Sequence, residues 1–175
     1  MRPTLYLHGF LSHPNSAKPK LLREAHEKIG KPFIAPELYM SPEEVAAFLS
    51  KLIKEDLEGG PVDVIGSSLG GFYAAWAKEH LPVVKAVLLN PALGNWGKVD
   101  FQPGWHKVSG LDREMYVCSE FMIQLSLISL KDKVLDPTQT LDFLKDTKIV
   151  KIPDGDHRIT DFAPHVEEIM SFLAE

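Results

Sequence analysis

Between residues 62 and 78 the chain passes from an apolar run, through two glycines flanking a serine, into a helix-forming run, and few folds accommodate that order. The run is Val62-Asp63-Val64-Ile65, the punctuation is Gly66, Ser68 and Gly70, and the helix former is Phe72-Tyr73-Ala74-Ala75-Trp76-Ala77-Lys78. A Gly-x-Ser-x-Gly pentapeptide in this context predicts a tight strand-to-helix turn, a nucleophile elbow, with the serine at its tip. The serine backbone is expected to be strained and its hydroxyl to project from the top of a sheet. The flanking glycines are expected because a side chain there would collide with the neighbouring strand and helix. The unpaired N–H groups that open the helix can receive negative charge.

The rest of the chain alternates in the same way. Residues 4–8 are a short apolar run closed by Gly9. Residues 19–29 set Leu21, Leu22, Ala25 and Ile29 on one helical face and stop at Gly30 and Pro32. Residues 33–35 read as a second strand. Ser41-Pro42-Glu43-Glu44 opens a helix with a capping box and a proline at the first helical position. Val45, Phe48, Leu49, Leu52 and Ile53 give that helix its stripe, and Gly59-Gly60 end it. Further strands are expected at 83–89, within 121–130 and at 147–152, and further helices at 68–80, 137–144 and 161–173, the last with Phe162, Val166, Ile169, Met170 and Leu173 inward. Strands separated by helices build βαβ units, so the expected class is α/β: a doubly wound, about six-stranded parallel sheet in a single domain spanning 1–175. Residues 92–120 break the rhythm. They contain Gly94, Gly97, Pro103 and Gly104 with Trp96, Phe101 and Trp105, too long for a plain connection and too irregular for one helix. They are expected to form a cap-like insertion over the top of the sheet.

Composition narrows the partners. The net charge of −5 argues against nucleic acid or an anionic membrane surface. No stretch approaches the ~20 apolar residues of a membrane span. The single cysteine, Cys118, cannot build an internal disulfide framework and has no base beside it, so it reads as buried filler in a reducing cytosol. The apolar run at the N-terminus is too short for a signal peptide, and a cytoplasmic location is expected.

A serine hydroxyl needs a base, the base needs an acid to orient it, and the tetrahedral intermediate needs N–H donors. In a doubly wound sheet these groups lie just beyond the C-terminal ends of the strands. Of the seven histidines, His26 and His165 fall in helical patterns and read as solvent-facing. His80 closes a helix, His106 lies in the insertion, His13 lies in the first loop, and His8 ends a strand ahead of the serine. His157 follows the last strand by the loop Pro153-Asp154-Gly155-Asp156 and stands where a base belongs. Two acids compete after the strand ending at Leu130. Asp136 precedes Pro137 and reads as a helix N-cap, whereas Asp132 has no evident structural task and is favoured. The order Ser68, Asp132, His157 is nucleophile, acid, base. The backbone N–H of Leu69 and that of Phe10, in Leu7-His8-Gly9-Phe10, are the expected oxyanion donors.

These stretches, with Ser16-Ala17-Lys18, Asn90-Pro91-Ala92, Asp132-Lys133-Val134-Leu135-Asp136 and Gly155-Asp156-His157, run in order along nearly the whole chain. In them the sequence resembles the α/β-hydrolase serine esterases, and more closely the small bacterial esterases of the YqiA/UPF0227 type. The resemblance implies carboxylic-ester hydrolase activity with Ser68, Asp132 and His157 as triad. It also implies loss of the first two strands of larger hydrolases and a strand order of 2-1-3-4-5-6.

The expected substrate is a small soluble acyl ester, cleaved through an acyl-enzyme, with no cofactor or metal. Trp96, Phe101 and Trp105 either line an acyl pocket or pack the insertion onto the sheet. Two other readings use the same residues: an acyl thioesterase with the same triad, and a non-catalytic binding protein on a hydrolase scaffold. A dehalogenase or epoxide hydrolase would want an aspartate where Ser68 stands.

Overall fold

Among the described residues the apolar runs become six parallel strands, with helices packed on both faces of the sheet. The computed structural model describes residues 1–93 and 123–175. The strands are β1 (Thr4–Leu7), β2 (Phe33–Ile34), β3 (Val62–Ser67), β4 (Val83–Leu89), β5 (Gln124–Ser129) and β6 (Lys148–Ile152). The helices are α1 (Ala17–Lys28), α2 (Pro42–Lys51), α3 (Leu69–His80), α4 (Pro137–Phe143) and α5 (Val166–Ala174). The sheet order is β2-β1-β3-β4-β5-β6, with every pair parallel. This is the order the resemblance implies.

Alternation along each strand divides the core into two layers. Leu5, Leu7, Val62, Val64, Ala86 and Leu88 face α2, α3 and Leu144. Tyr6, Ile65, Val87, Leu89, Leu125 and Leu127 face Leu22 of α1 and the Ile169, Phe172 and Leu173 stripe of α5. One carboxylate lies inside this frame. Asp63 of β3 is fully buried and pairs with Arg2 at 2.6 Å and Lys31 at 2.5 Å, so the cost of taking it out of water is offset by two cations.

Local chemistry explains where the elements start. Ser41 caps α2: its side chain accepts from the Glu44 N–H, and the Glu44 carboxylate accepts from the Ser41 N–H. Pro42 occupies the first helical turn. After Lys51 the helix continues as a π-helical turn, Leu52–Asp56, before Gly59 turns the chain at φ 69°.

Two helix readings are corrected. The buried stripe of α1 is Pro19, Leu22 and His26, while Ile29 is 52% exposed. His26 is fully buried because both ring nitrogens find partners. Nδ1–H donates to the Leu22 carbonyl at 2.7 Å, and Nε2 accepts from the Thr4 hydroxyl at 3.0 Å. Burial lowers its pKa, and the neutral ring is the form these two bonds require. The last helix begins at Val166, preceded by a 3₁₀ turn, Ala163–His165, that holds Pro164 where a missing N–H costs little. Phe172 joins its buried face. No helix among the described residues is long and apolar enough to cross a membrane.

Candidate active site

The turn after β3 carries the backbone conformation its sequence requires. Ser68 has φ 56° and ψ −116°, a sparsely populated region for a non-glycine residue that costs about 1–3 kcal/mol. The surroundings over-determine it. The Ser68 N–H donates to Leu89 at 2.9 Å, and its carbonyl accepts from Gly71 at 2.9 Å and Ala92 at 3.0 Å. The glycines serve close approach. A Cβ on Gly66 would strike the Gly70 carbonyl, and one on Gly70 would strike the Leu7 carbonyl. The start of α3 is thereby seated directly on the end of β1. Gly9 lies equally near: its Cβ would stand 3.0 Å from the Ser67 carbonyl oxygen and 3.1 Å from the Ser68 Cβ. The chain at 9–10 therefore runs against the serine, beside the opening turn of α3 to which Leu69 belongs.

Ser68, Asp132 and His157 come from three strand ends and meet. His157 Nδ1–H donates to Asp132 Oδ2 at 2.7 Å, which leaves the Nε2 lone pair of a neutral ring to accept from Ser68 Oγ–H at 3.0 Å. The Asp132 side chain is 3% exposed and that of His157 19%, so the acid is buried behind a ring that remains reachable. Contrary to the sequence reading, Asp132 also has a structural task. Its Oδ1 accepts from the N–H groups of Val134 at 2.8 Å and Leu135 at 3.0 Å, fixing the carboxylate plane through a turn. Asp136 caps α4, accepting from Thr138 N–H at 2.9 Å ahead of Pro137.

Two residues hold this arrangement that sequence reasoning did not assign to it. Asn90, at φ 42° after β4, is buried. Its side-chain NH₂ donates to the Ser129 hydroxyl at 3.0 Å and to the carbonyls of Asp156 at 3.2 Å and His157 at 2.9 Å. Its Oδ1 accepts from Ser129 N–H at 2.7 Å. One amide thus ties the ends of β4 and β5 to the loop that carries His157. The only local signal was an asparagine between a strand and a proline. His8 plays the matching part on the other side. Its Nε2 accepts from Leu38 N–H at 3.0 Å, so Nδ1 carries the proton and donates to Gly9 at 2.9 Å. The ring clasps the loop after β1 to the loop after β2, and burial lowers its pKa, favouring this neutral form.

The remaining histidines lie elsewhere. His80 donates to the Trp76 carbonyl and stacks on its ring at 5.0 Å. His13 accepts from Asn15 N–H, and His165 ends the turn before α5. Most of the expected 92–120 insertion, with His106, Cys118, Trp96, Phe101 and Trp105, lies outside the described residues.

A parallel sheet in the order 2-1-3-4-5-6, with a left-handed serine turn after its third strand, is the α/β-hydrolase fold. The chain belongs to the uncharacterised protein family UPF0227, which it matches over residues 3–174. Solved structures share the architecture at low identity. A structure from Xanthomonas campestris pv. campestris assigned to the alpha/beta superfamily of hydrolases superposes with a TM-score of 0.76 at 19% identity, covering 99% of this chain and 98% of that one. Est1E from Butyrivibrio proteoclasticus, solved with ferulic acid bound, superposes at 0.78 with 16% identity over 100% and 90%. The ydeN gene product of B. subtilis superposes at 0.72 with 14% identity over the whole of both chains.

Proposed function

We propose that the protein is a serine hydrolase that cleaves carboxylic esters through an acyl-enzyme intermediate. The observation that carries this reading is the hydrogen-bonded line Ser68–His157–Asp132, with contacts of 3.0 and 2.7 Å, behind a serine in a left-handed turn. His157 takes the proton of Ser68 as Oγ attacks the ester carbonyl. Asp132 keeps Nδ1 as the protonated nitrogen and stabilises the imidazolium. The oxyanion is received by the N–H groups of Leu69 and Phe10, and loss of one such donor costs about 2.7–4 kcal/mol in a transition state. His157 returns the proton to the leaving alcohol, and water then releases the acid. The expected substrates are small soluble acyl esters, and Est1E, which shares the fold and holds ferulic acid in its structure, lends support to an ester or its acid as ligand.

Two paired measurements test the reading. Asp132→Asn is expected to lower kcat by about 10⁴, because an amide no longer fixes the histidine tautomer. Asp136→Ala is expected to cost about 1 kcal/mol of stability through the lost cap while leaving kcat within a few-fold. Kinetics and melting curves of the two variants separate these effects, and a reversal of the two phenotypes would reassign the acid. Ethyl butyrate against S-ethyl thiobutyrate and butyryl-CoA tests the bond class. A kcat/KM for the CoA ester more than a hundredfold above those of the simple esters would move the assignment to a thioesterase.

A further inference from the structure

The ring of His157 is set by Asp132, but the main chain that carries the ring is a loop. Residues 153–160 follow β6 with no helix or strand to stiffen them. The loop is also strained. Ile159, two residues beyond the base, is buried at φ 49°, an outlier for a β-branched side chain. Such residues persist only where the surroundings over-determine them.

Part of that determination comes from within the loop. The Asp156 carboxylate accepts from the Thr160 N–H and from the Thr160 hydroxyl, both at 2.7 Å. The Asp156 carbonyl accepts from Ile159 N–H at 3.1 Å. The rest comes from two distant side chains, which divide between them the carbonyls of three consecutive residues. Asn90, at the end of β4, takes those of Asp156 and His157. Lys18, in the first turn of α1, takes that of Arg158: its Nζ–H donates at 2.5 Å across 140 positions of sequence. The base is thus bracketed. Its own carbonyl and the one before are held from β4, and the one after from α1.

The stability of α1 does not call for a lysine at this place. The first turn carries no acidic residue, and a cation there opposes the helix dipole. The side chain is also drawn partly out of water: burial lowers its pKa, while the Asp156 carboxylate acts in the opposite direction. A charge-assisted bond to a carbonyl offsets both penalties. One other cation reaches the loop, Lys131 to Asp154 at 2.5 Å, but those side chains are 66% and 85% exposed, and such pairs contribute little. Resting on the ester-hydrolase reading, we propose that Lys18 is a positioning residue for the general base: by holding the Arg158 carbonyl it keeps the His157 ring in line with Ser68 Oγ, and it does so without touching substrate.

The test compares three variants of the full chain. Lys18→Met keeps the stem and removes the donor, Lys18→Arg keeps a cationic donor, and Lys20→Met removes the exposed charge two residues on. Each is read by kcat and KM for p-nitrophenyl butyrate, by the rate of fluorophosphonate labelling at Ser68, and by Tm. Misplacing a catalytic group by about 1 Å costs about 10²-fold, and with Asn90 and Asp132 still in place Lys18→Met is expected to lower kcat about tenfold with KM held within about twofold. The labelling rate is expected to fall by the same factor, because the same base drives both reactions. Lys18→Arg is expected to recover most of the loss, and Lys20→Met to show none. A merely structural lysine would lower Tm and leave kcat and labelling below the transition untouched. Lys18→Ala, a strong helix former, carries the same expectation if the methionine variant does not fold. Wild-type kcat and labelling without the Lys18 amine, a loss carried by KM, or equal losses in Lys18→Arg or Lys20→Met would each overturn the positioning role while the triad stands. If Ser68 labels but no ester is hydrolysed, the ester reading fails and the labelling ratio still decides the role of Lys18. If the wild-type protein neither labels nor hydrolyses, both fail together.

Discussion

Ser68→Ala is expected to lower kcat for p-nitrophenyl butyrate by about 10⁴–10⁶, and His157→Ala to do the same. The double variant is expected to be no slower than either single one, because in the proposed mechanism the two groups act in one proton-coupled step and either loss abolishes it. At 1.36 kcal/mol per decade, this is about 5–8 kcal/mol of transition-state stabilisation. Non-additivity is the informative part. Independent contributions would multiply, giving a double variant slower by the product of the two losses. The folded state is expected to change little, since Ser68 Oγ makes its bond to an imidazole that Asp132 already holds. Steady-state kinetics of the three variants, with melting curves as control, check this outcome. Wild-type rates in Ser68→Ala would remove the serine from the mechanism.

Gly70→Ala produces the largest expected loss of stability. A Cβ at this position meets backbone: the Leu7 carbonyl, with the His8 carbonyl oxygen 2.8 Å away. A flexible side chain could turn aside, but the end of a central strand moves only with its neighbours, and β1 is paired to both β2 and β3. Overpacking of well-filled sites costs 1–3 kcal/mol and occasionally more, and a backbone collision belongs at the upper end. Better helix propensity returns at most about 1 kcal/mol. A net loss of about 2 kcal/mol or more corresponds to roughly 4–8 °C or more in Tm for a chain of this length. Gly60→Ala is the control. Its Cβ would stand 3.4 Å from the Leu57 carbonyl oxygen, an ordinary contact, and its Tm is expected to hold within a degree or two. Equal melting temperatures for the two variants would contradict the close seating of α3 on β1.

What could be read from the sequence was written in local chemistry. Ser41, Pro42 and Glu44 are a cap because three neighbouring residues satisfy the orphan groups of one helix end, and the structure forms it as spaced. The turn at Ser68 was legible because only glycine fits at 66 and 70 between a strand and a helix. The misreadings have other causes. His26 counted as polar in a periodic pattern, yet its partner Thr4 lies 22 residues away and turns the ring into core. Asp132 was assigned no structural task, although an aspartate that can bond the backbone two and three residues on, at Val134 and Leu135, is itself a local turn signal. Asn90 reaches residues 39, 66 and 67 positions away, contacts that exist only once the sheet has been ordered. A cleft of about 580 Å³ lined by Phe10, Tyr39 and Tyr73 is likewise a product of strand order, since it lies between loops that follow different strands.

The proposal that Ser68 is an activated nucleophile is most directly tested by covalent labelling with a fluorophosphonate, read by intact mass and peptide mapping. An unactivated hydroxyl reacts slowly, whereas one hydrogen-bonded to a base beside oxyanion donors reacts quickly. The expected result is a single adduct on Ser68 within minutes at micromolar reagent. It is absent in Ser68→Ala and slowed at least about a hundredfold in His157→Ala, in line with the 10²–10⁴ that a positioned base contributes. No adduct after prolonged exposure, or an adduct on a different residue that persists in Ser68→Ala, would contradict the assignment.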